Sequence, residues 1–160
     1  LSLDARSCWV DSWAFERLLA RLEDQLRAHT LDTIEPLTHT LFDLYQGAFL
    51  HHESELPATL SLRERLRSRF LRVLKEIGRH HESRQAWDRA SDCYLRALEV
   101  EPLAEEFYRL LMNAYLVLGR NAEGIAVYER CRKTLQALLG VAPSRETEAL
   151  RQSLEAAGRG

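Results

Sequence analysis

Polar side chains that bind anions recur at matched positions in the second half of the sequence. Lys75 and Arg79 are four residues apart, and Arg109 and Asn113 repeat that spacing 34 residues later. Residues four apart lie on the same face of a helix. An arginine binds a carboxylate through two parallel hydrogen bonds, and a lysine binds it as a point charge. The alternative is that these long side chains keep a surface soluble while their stems cover apolar neighbours.

The histidines do not form a metal site in the sequence pattern. Four of the six lie in two adjacent pairs, His51–His52 and His80–His81. Adjacent residues on a helix point about 100° apart, whereas a metal ion needs converging ligands. The sequence also lacks a P-loop, a GxSxG motif, an HExxH motif and a glycine-rich phosphate-binding loop. We therefore expect no enzyme activity, no metal and no cofactor.

The cysteines are odd in number and far apart, at Cys8, Cys93 and Cys131. This pattern is neither a disulfide framework nor a metal-binding motif. Cys93 and Cys131 fall at apolar helix positions, where we expect buried thiols that act as small hydrophobic side chains. A reducing cytoplasm fits this cysteine use.

The composition predicts a helical protein that does not itself bind DNA. Only 7 Gly and 4 Pro occur in 160 residues, which favours helix almost everywhere. A net charge of −2 argues against a phosphate-binding surface. No apolar run of about 18 residues and no N-terminal signal pattern occur. The sequence starts at Leu1 without a methionine, so we expect it to be part of a longer protein.

Apolar spacing predicts the elements of the first half of the chain. Residues 1–10 are weakly strand-like, and Asp11 or Ser12 is expected to cap the first helix. Gly47 is expected to end the second helix, and Pro57 to lie in the loop after it. Three helices are predicted in this half, over residues 12–28, about 33–45 and about 59–83.

The second half contains a repeat with a period of 34 residues. Large residues on a first helix are followed by a small, an aromatic and a small residue on a second, which is the tetratricopeptide signature. The first unit, over about 71–102, contains Leu74, Ile77, Gly78, His81, Ala90, Tyr94, Ala97 and Pro102. The second, over about 105–139, contains Tyr108, Leu111, Met112, Tyr115, Gly119, Gly124, Tyr128 and Cys131.

This repeat predicts an all-α fold, a right-handed superhelix of tetratricopeptide-like hairpins with about seven to eight helices. Each hairpin cannot bury its own apolar face, so the hairpins stack. The first helices of such hairpins line the concave face, which would place Lys75, Arg79, Arg109 and Asn113 in one groove. The repeat departs from its consensus at His81, where an aromatic residue is usual. A generic helical bundle with accidental self-similarity is the alternative.

Five stretches, in order, resemble one family. They are VDSWAFE (10–16), LYQGAFL (44–50), RERL (63–66), the stretch from ALEVEP to RKTL (97–135) and LGVAPSRET (139–147). Together they are similar to the bacterial transcriptional activator domain of the antibiotic regulatory protein family and related bacterial regulators. Ala48 stands where the family often has proline, and residues 78–83 are more polar than usual.

The resemblance implies a regulatory and protein-interaction domain at 11–158. Family members normally carry a winged helix-turn-helix upstream, so residues 1–10 would be a linker or the end of that missing domain. The implied roles are self-association, docking of the DNA-binding domain, contact with transcription machinery and sensing of a small-molecule or peptide effector. This fragment would not bind DNA directly, and the arginines of the third helix would dock the DNA-binding domain. The alternative is a free-standing tetratricopeptide adaptor that binds a peptide or an anionic ligand in its concave groove.

The stretch LGVAPSRET predicts a helix end followed by a closing helix. Gly140 ends one helix, Pro143 prevents its continuation and Ser144 caps the next. On that last helix, Leu150 and Leu154 would either cap the stack or pair with another subunit.

Overall fold

The computed structural model describes residues 5–28, 34–47 and 57–159, and all regular structure there is helical. The all-α class and the number of helices are therefore as predicted. The right-handed superhelix stays a prediction. The seven helices are α1 (Ala5–Ala28), α2 (Ile34–Gly47), α3 (Pro57–Ser83), α4 (Trp87–Val100), α5 (Glu105–Val117), α6 (Asn121–Leu139) and α7 (Arg145–Ala157).

Two predicted boundaries were wrong. Helix α1 begins at Ala5, so residues 5–10 are not strand-like and Asp11 lies inside the helix rather than at its cap. No glycine or proline interrupts the chain from Ala5 to Ala28, so the helix extends back through the short apolar run. Pro57 begins α3 instead of lying in a loop, because the first helical position needs no backbone N–H donor. The first four residues and the histidines at 51 and 52 lie outside the described part.

The chain divides into two compact units, Leu1–Val73 and Leu74–Gly160. In the first unit α1 packs against α2. Phe70 of α3 lies at the centre of an aromatic group, stacked on Tyr45 at 4.4 Å and edge-on to Phe15 at 5.5 Å. Apolar burial of this kind stabilises a helical core without any metal or disulfide.

Arginines of α3 pair with carboxylates of α1 in the first unit. Arg69 donates to both carboxylate oxygens of Glu23, at 3.3 and 3.0 Å, and Arg72 donates to the same group at 3.2 Å. Hydrogen bonds from Arg69 hold the pKa of Glu23 below its usual range. Arg65 reaches Glu16 at 3.5 Å. These cations thus join two helices of the unit itself.

In the second unit α5 packs against α4, α6 and α7, and the tetratricopeptide-like repeats expected there stay a prediction. A Cβ added to Gly78 would lie 2.7 Å from the Tyr94 Cζ atom, so the small residue lets the aromatic ring lie directly on α3. The Tyr94 hydroxyl donates to Glu82 at 2.7 Å. The repeat pattern identified this packing correctly.

The two cysteines of the second unit are buried, as predicted. Cys93 and Cys131 are free and buried, and burial raises the pKa of each thiol to about 12. His81, at the position where the repeat usually has an aromatic residue, is buried as well. Burial lowers the pKa of His81, and the nearby His80 and Arg84 lower it further.

Candidate interaction surfaces

The first candidate surface is the predicted anion groove, whose four residues all lie in the second unit. Lys75 on α3 forms an ion pair with Glu106 on α5, so the two helices do bring their polar positions together. Arg79 lies 3.9 Å from Glu76 on its own helix. Each of these cations already has a carboxylate beside it.

The other two groove residues belong to α5. The Arg109 Nη1 donates to the hydroxyls of Ser144 and Thr147 at 3.4 and 3.5 Å. It also lies 3.8 Å from the Glu105 carboxylate. Arg109 therefore lies against the start of α7, and Asn113 is half-buried. Every cation of the set thus has a carboxylate neighbour, and anion binding by these four residues stays a prediction.

The start of α7 is fixed to α5 by a contact that the sequence analysis missed. Glu105 accepts from the backbone N–H of Ser144 at 2.7 Å and from the Thr147 hydroxyl at 2.5 Å. Burial raises the pKa of Glu105, but hydrogen bonds from Thr147 and Ser144 outweigh it and hold that pKa below its usual value. We call this group, Glu105 with Ser144 and Thr147, the α7 latch.

The predicted ends of the helices around the latch are confirmed. Gly140 ends α6 in the left-handed conformation with φ 68°, and Ser144 caps α7 by accepting from the Thr147 N–H. Sequence spacing revealed these local features. It gave no signal for Glu105, which lies 39 residues from Ser144.

Helix α7 closes the stack of helices in the second unit. Leu154 is fully buried against Met112 and Tyr128, and Leu150 packs on the same cluster. A Cβ added to Gly124 would lie 2.6 Å from the Leu154 Cδ2 atom, so the glycine makes room for this leucine. Of the two uses expected for these leucines, the structure shows the cap.

The outward face of α7 is polar or small, as terminal helices of repeat stacks are. The exposed residues of this face are Arg145, Glu146, Ala149, Gln152, Ser153 and Ala156. This face therefore carries no large apolar side chain among its exposed residues.

An exposed apolar surface remains at the end of α6. Every residue from 136 to 142 is exposed, and we call this segment the α6 tip. Leu138 is 62% exposed, Leu139 56% and Val141 47%. The motif LGVAPSRET contains two of these residues. Their exposure was not evident from the sequence, because it depends on the tertiary packing of α6, whose last buried residue is Leu135.

Three cations near the α6 tip have no carboxylate partner among the described residues. Arg130 has its guanidinium 6.0 Å from the centre of the Tyr108 ring, and neither Lys133 nor Arg145 forms an ion pair with a residue that the structure describes. All three are exposed. These three cations outnumber the one exposed carboxylate beside them, Glu146, which follows Arg145, in a chain whose net charge is −2.

An open cavity of about 660 Å³ lies between the start of α6 and the end of α7. Its cations are already paired, Arg120 with Asp88 at 3.2 Å and with Glu123, and Arg159 with Glu155 at 3.9 Å. Within the described ranges no three metal-ligating side chains converge. None of the described helices is long and apolar enough to cross a membrane.

The comparison with protein families agrees with the resemblance noted in the sequence. The model of the bacterial transcriptional activator domain matches residues 10–155, nearly the whole chain. No curated protein and no solved structure matches the chain.

Proposed function

Because the chain belongs to the bacterial transcriptional activator domain family, we propose that it regulates transcription through contacts with proteins, while a separate domain contacts DNA. Membership identifies a regulatory domain, which supports the expectation that the chain has no enzyme activity. The proposal places it in the bacterial cytoplasm, where transcription takes place.

The observation that carries this proposal is the exposed apolar α6 tip. Contiguous apolar side chains at a protein surface are typical of protein–protein contacts. The arginines of α3 support the other half of the proposal. A DNA-binding face needs cations that are free to neutralise phosphates, whereas Arg65, Arg69 and Arg72 pair with Glu16 and Glu23.

Among the roles that the family resemblance implies, protein docking has more support than effector sensing. The α6 tip offers uncovered apolar side chains, while the cavity between α6 and α7 is lined by cations that are already paired. The adaptor alternative has less support for the same reason, since Lys75, Arg79 and Arg109 all have carboxylate neighbours.

A fusion experiment tests the proposal. The domain is joined to a monomeric DNA-binding domain that binds a known operator without activating transcription, and a reporter is measured in bacteria. We expect the fusion to change reporter output and the isolated domain to leave DNA unshifted in gels at about 150 mM salt. Equal output from the fusion and from the DNA-binding domain alone would contradict the proposal. A salt-sensitive DNA shift by the isolated domain would contradict it too.

Two variants of the fusion separate protein docking from the adaptor alternative. Leu138→Asp places a charge on the α6 tip, and Arg79→Glu reverses a charge on the predicted groove. Both residues are exposed, so neither change disturbs the core. Docking predicts that only Leu138→Asp lowers reporter output, and the opposite result favours the adaptor.

A further inference from the structure

The α6 tip extends beyond the packing that covers the rest of its helix. Helix α6 has 19 residues, whereas the corresponding second helix of the first hairpin, α4, has 14. The last buried residue of α6 is Leu135. Because α6 is longer, Leu138 and Leu139 lie beyond the core of the unit.

The tip is nevertheless held at both ends. Gly140 turns the chain with a left-handed φ, and four residues later Ser144 is fixed in the α7 latch. A segment fixed at both ends loses little conformational freedom when a partner binds. The exposed leucines are therefore presented by an ordered surface.

We propose that the α6 tip binds a segment of another protein that carries large apolar side chains together with acidic ones. This inference rests on the proposed function in one respect, that the domain acts through protein contacts. Leu138, Leu139 and Val141 supply the apolar contact. Lys133 and Arg145 precede and follow the tip along the chain and supply the positive charge that selects acidic partners.

Charge distinguishes this partner from a second copy of the chain. A twofold contact pairs a surface with itself, so Arg130, Lys133 and Arg145 of one copy would lie in the same interface as those of the other. Like charges brought together oppose such a contact. An acidic partner instead gives each cation the carboxylate that it lacks here.

The shape of the tip also disfavours a membrane surface. A helix that lies on a membrane needs an apolar face along much of its length. On α6 the exposed apolar leucines are confined to the last turn, and the exposed residues before them include Arg130, Arg132 and Lys133. The tip is a compact apolar site with a basic border.

Fluorescence anisotropy with a labelled helical peptide tests the proposal. The probe has leucine along one face and glutamate elsewhere, and two matched peptides replace its glutamates by lysine or its leucines by serine. We expect the whole domain to bind only the leucine–glutamate peptide. Leu138→Asp should weaken binding at least about 10-fold, as a central apolar contact does. Gln152→Asp, on the exposed face of α7, adds the same charge away from the tip and should change nothing.

A charge exchange adds a second readout. Lys133→Glu should weaken binding of the glutamate peptide and strengthen binding of the lysine peptide. The proposal is overturned if the leucine–glutamate peptide does not bind, if the lysine peptide binds equally well, or if Gln152→Asp weakens binding as much as Leu138→Asp. It is also overturned if the tip instead supports self-association in sedimentation, or binding to anionic vesicles of phosphatidylglycerol, that Leu138→Asp abolishes. An active reporter fusion with no peptide binding would refute this inference and leave the proposed function standing.

Discussion

Replacing Glu105 by glutamine tests the α7 latch, since it removes one charge and keeps the shape of the side chain. The Glu105 carboxylate accepts from the Ser144 N–H and the Thr147 hydroxyl. A hydrogen bond to a charged group contributes about 1.5–3 kcal/mol and one between neutral groups about 1 kcal/mol. Over two bonds the neutral amide therefore loses about 2 kcal/mol, and α7 should open about 30-fold more often.

Hydrogen exchange of the α7 amides, followed by mass spectrometry, measures this opening directly. Glu106→Gln is the matched control because Glu106 lies next in the same first turn of α5. Its partner is Lys75, and its side chain is 47% exposed, so we expect a change of about 0.5 kcal/mol or less. The control also corrects for the loss of a negative charge near the start of α5.

The same contact predicts a pH dependence. The pKa of Glu105 is lowered in the folded protein, so its stabilisation is complete above the pKa of the unfolded chain, about 4.3. It is lost as the pH falls through the lower folded pKa. The difference between the protein and Glu105→Gln should thus be largest near pH 7 and shrink as the pH falls below about 4.3 through the lowered folded pKa of Glu105.

Two results would refute the reasoning on the latch. One is equal exchange of α7 in Glu105→Gln and Glu106→Gln. The other is a double-mutant cycle of Glu105→Gln with Thr147→Val that shows simple additivity, since residues in one hydrogen-bond network couple by about 0.5–3 kcal/mol.

Three further predictions concern the second unit. Leu154→Ala should lower the free energy of unfolding in urea by about 3 kcal/mol, because it leaves a cavity beside Gly124, and the half-buried Leu150→Ala should cost clearly less. Gly78→Ala should cost about 1–3 kcal/mol, because its Cβ would overlap the buried Tyr94 ring; unchanged or raised stability in the same urea titration would contradict this packing. Cys93 and Cys131, with pKa values of about 12, should stay unlabelled by a thiol reagent at pH 8 until urea unfolds the protein, as mass mapping of the labelled peptides would show.

Local patterns predicted the helices and the contacts within them because those features depend on residues close in sequence, whereas the tetratricopeptide repeat stays a prediction. Gly78 and Tyr94 are within one hairpin, and Gly140 and Ser144 act on the helices next to them. The start of α1 was misread because a short apolar run is compatible with either strand or helix. The segment is helical because no glycine or proline lies between Ala5 and Ala28.

The predicted groove shows what the spacing of residues in the sequence does not reveal. The spacing placed Lys75 and Arg109 in one groove, which stays a prediction, and it counted cations without the carboxylates beside them. Glu106 lies on the helix opposite Lys75, and Glu105 lies one turn before Arg109. Both acids are visible in the sequence, yet their pairing depends on how α3, α5 and α7 pack.

The closing helix connects these findings to function. Helix α7 buries Leu154 and turns a face of polar and small residues outward. The same closure fixes Ser144 and so holds the segment that follows Leu138 and Leu139. The α7 latch therefore also holds the α6 tip in place. Glu105→Gln should weaken peptide binding at the tip, although Glu105 itself belongs to the latch. If that variant loosened α7 in hydrogen exchange but left the affinity of the leucine–glutamate peptide unchanged, the tip would not depend on the latch, and its order would have to come from α6 alone.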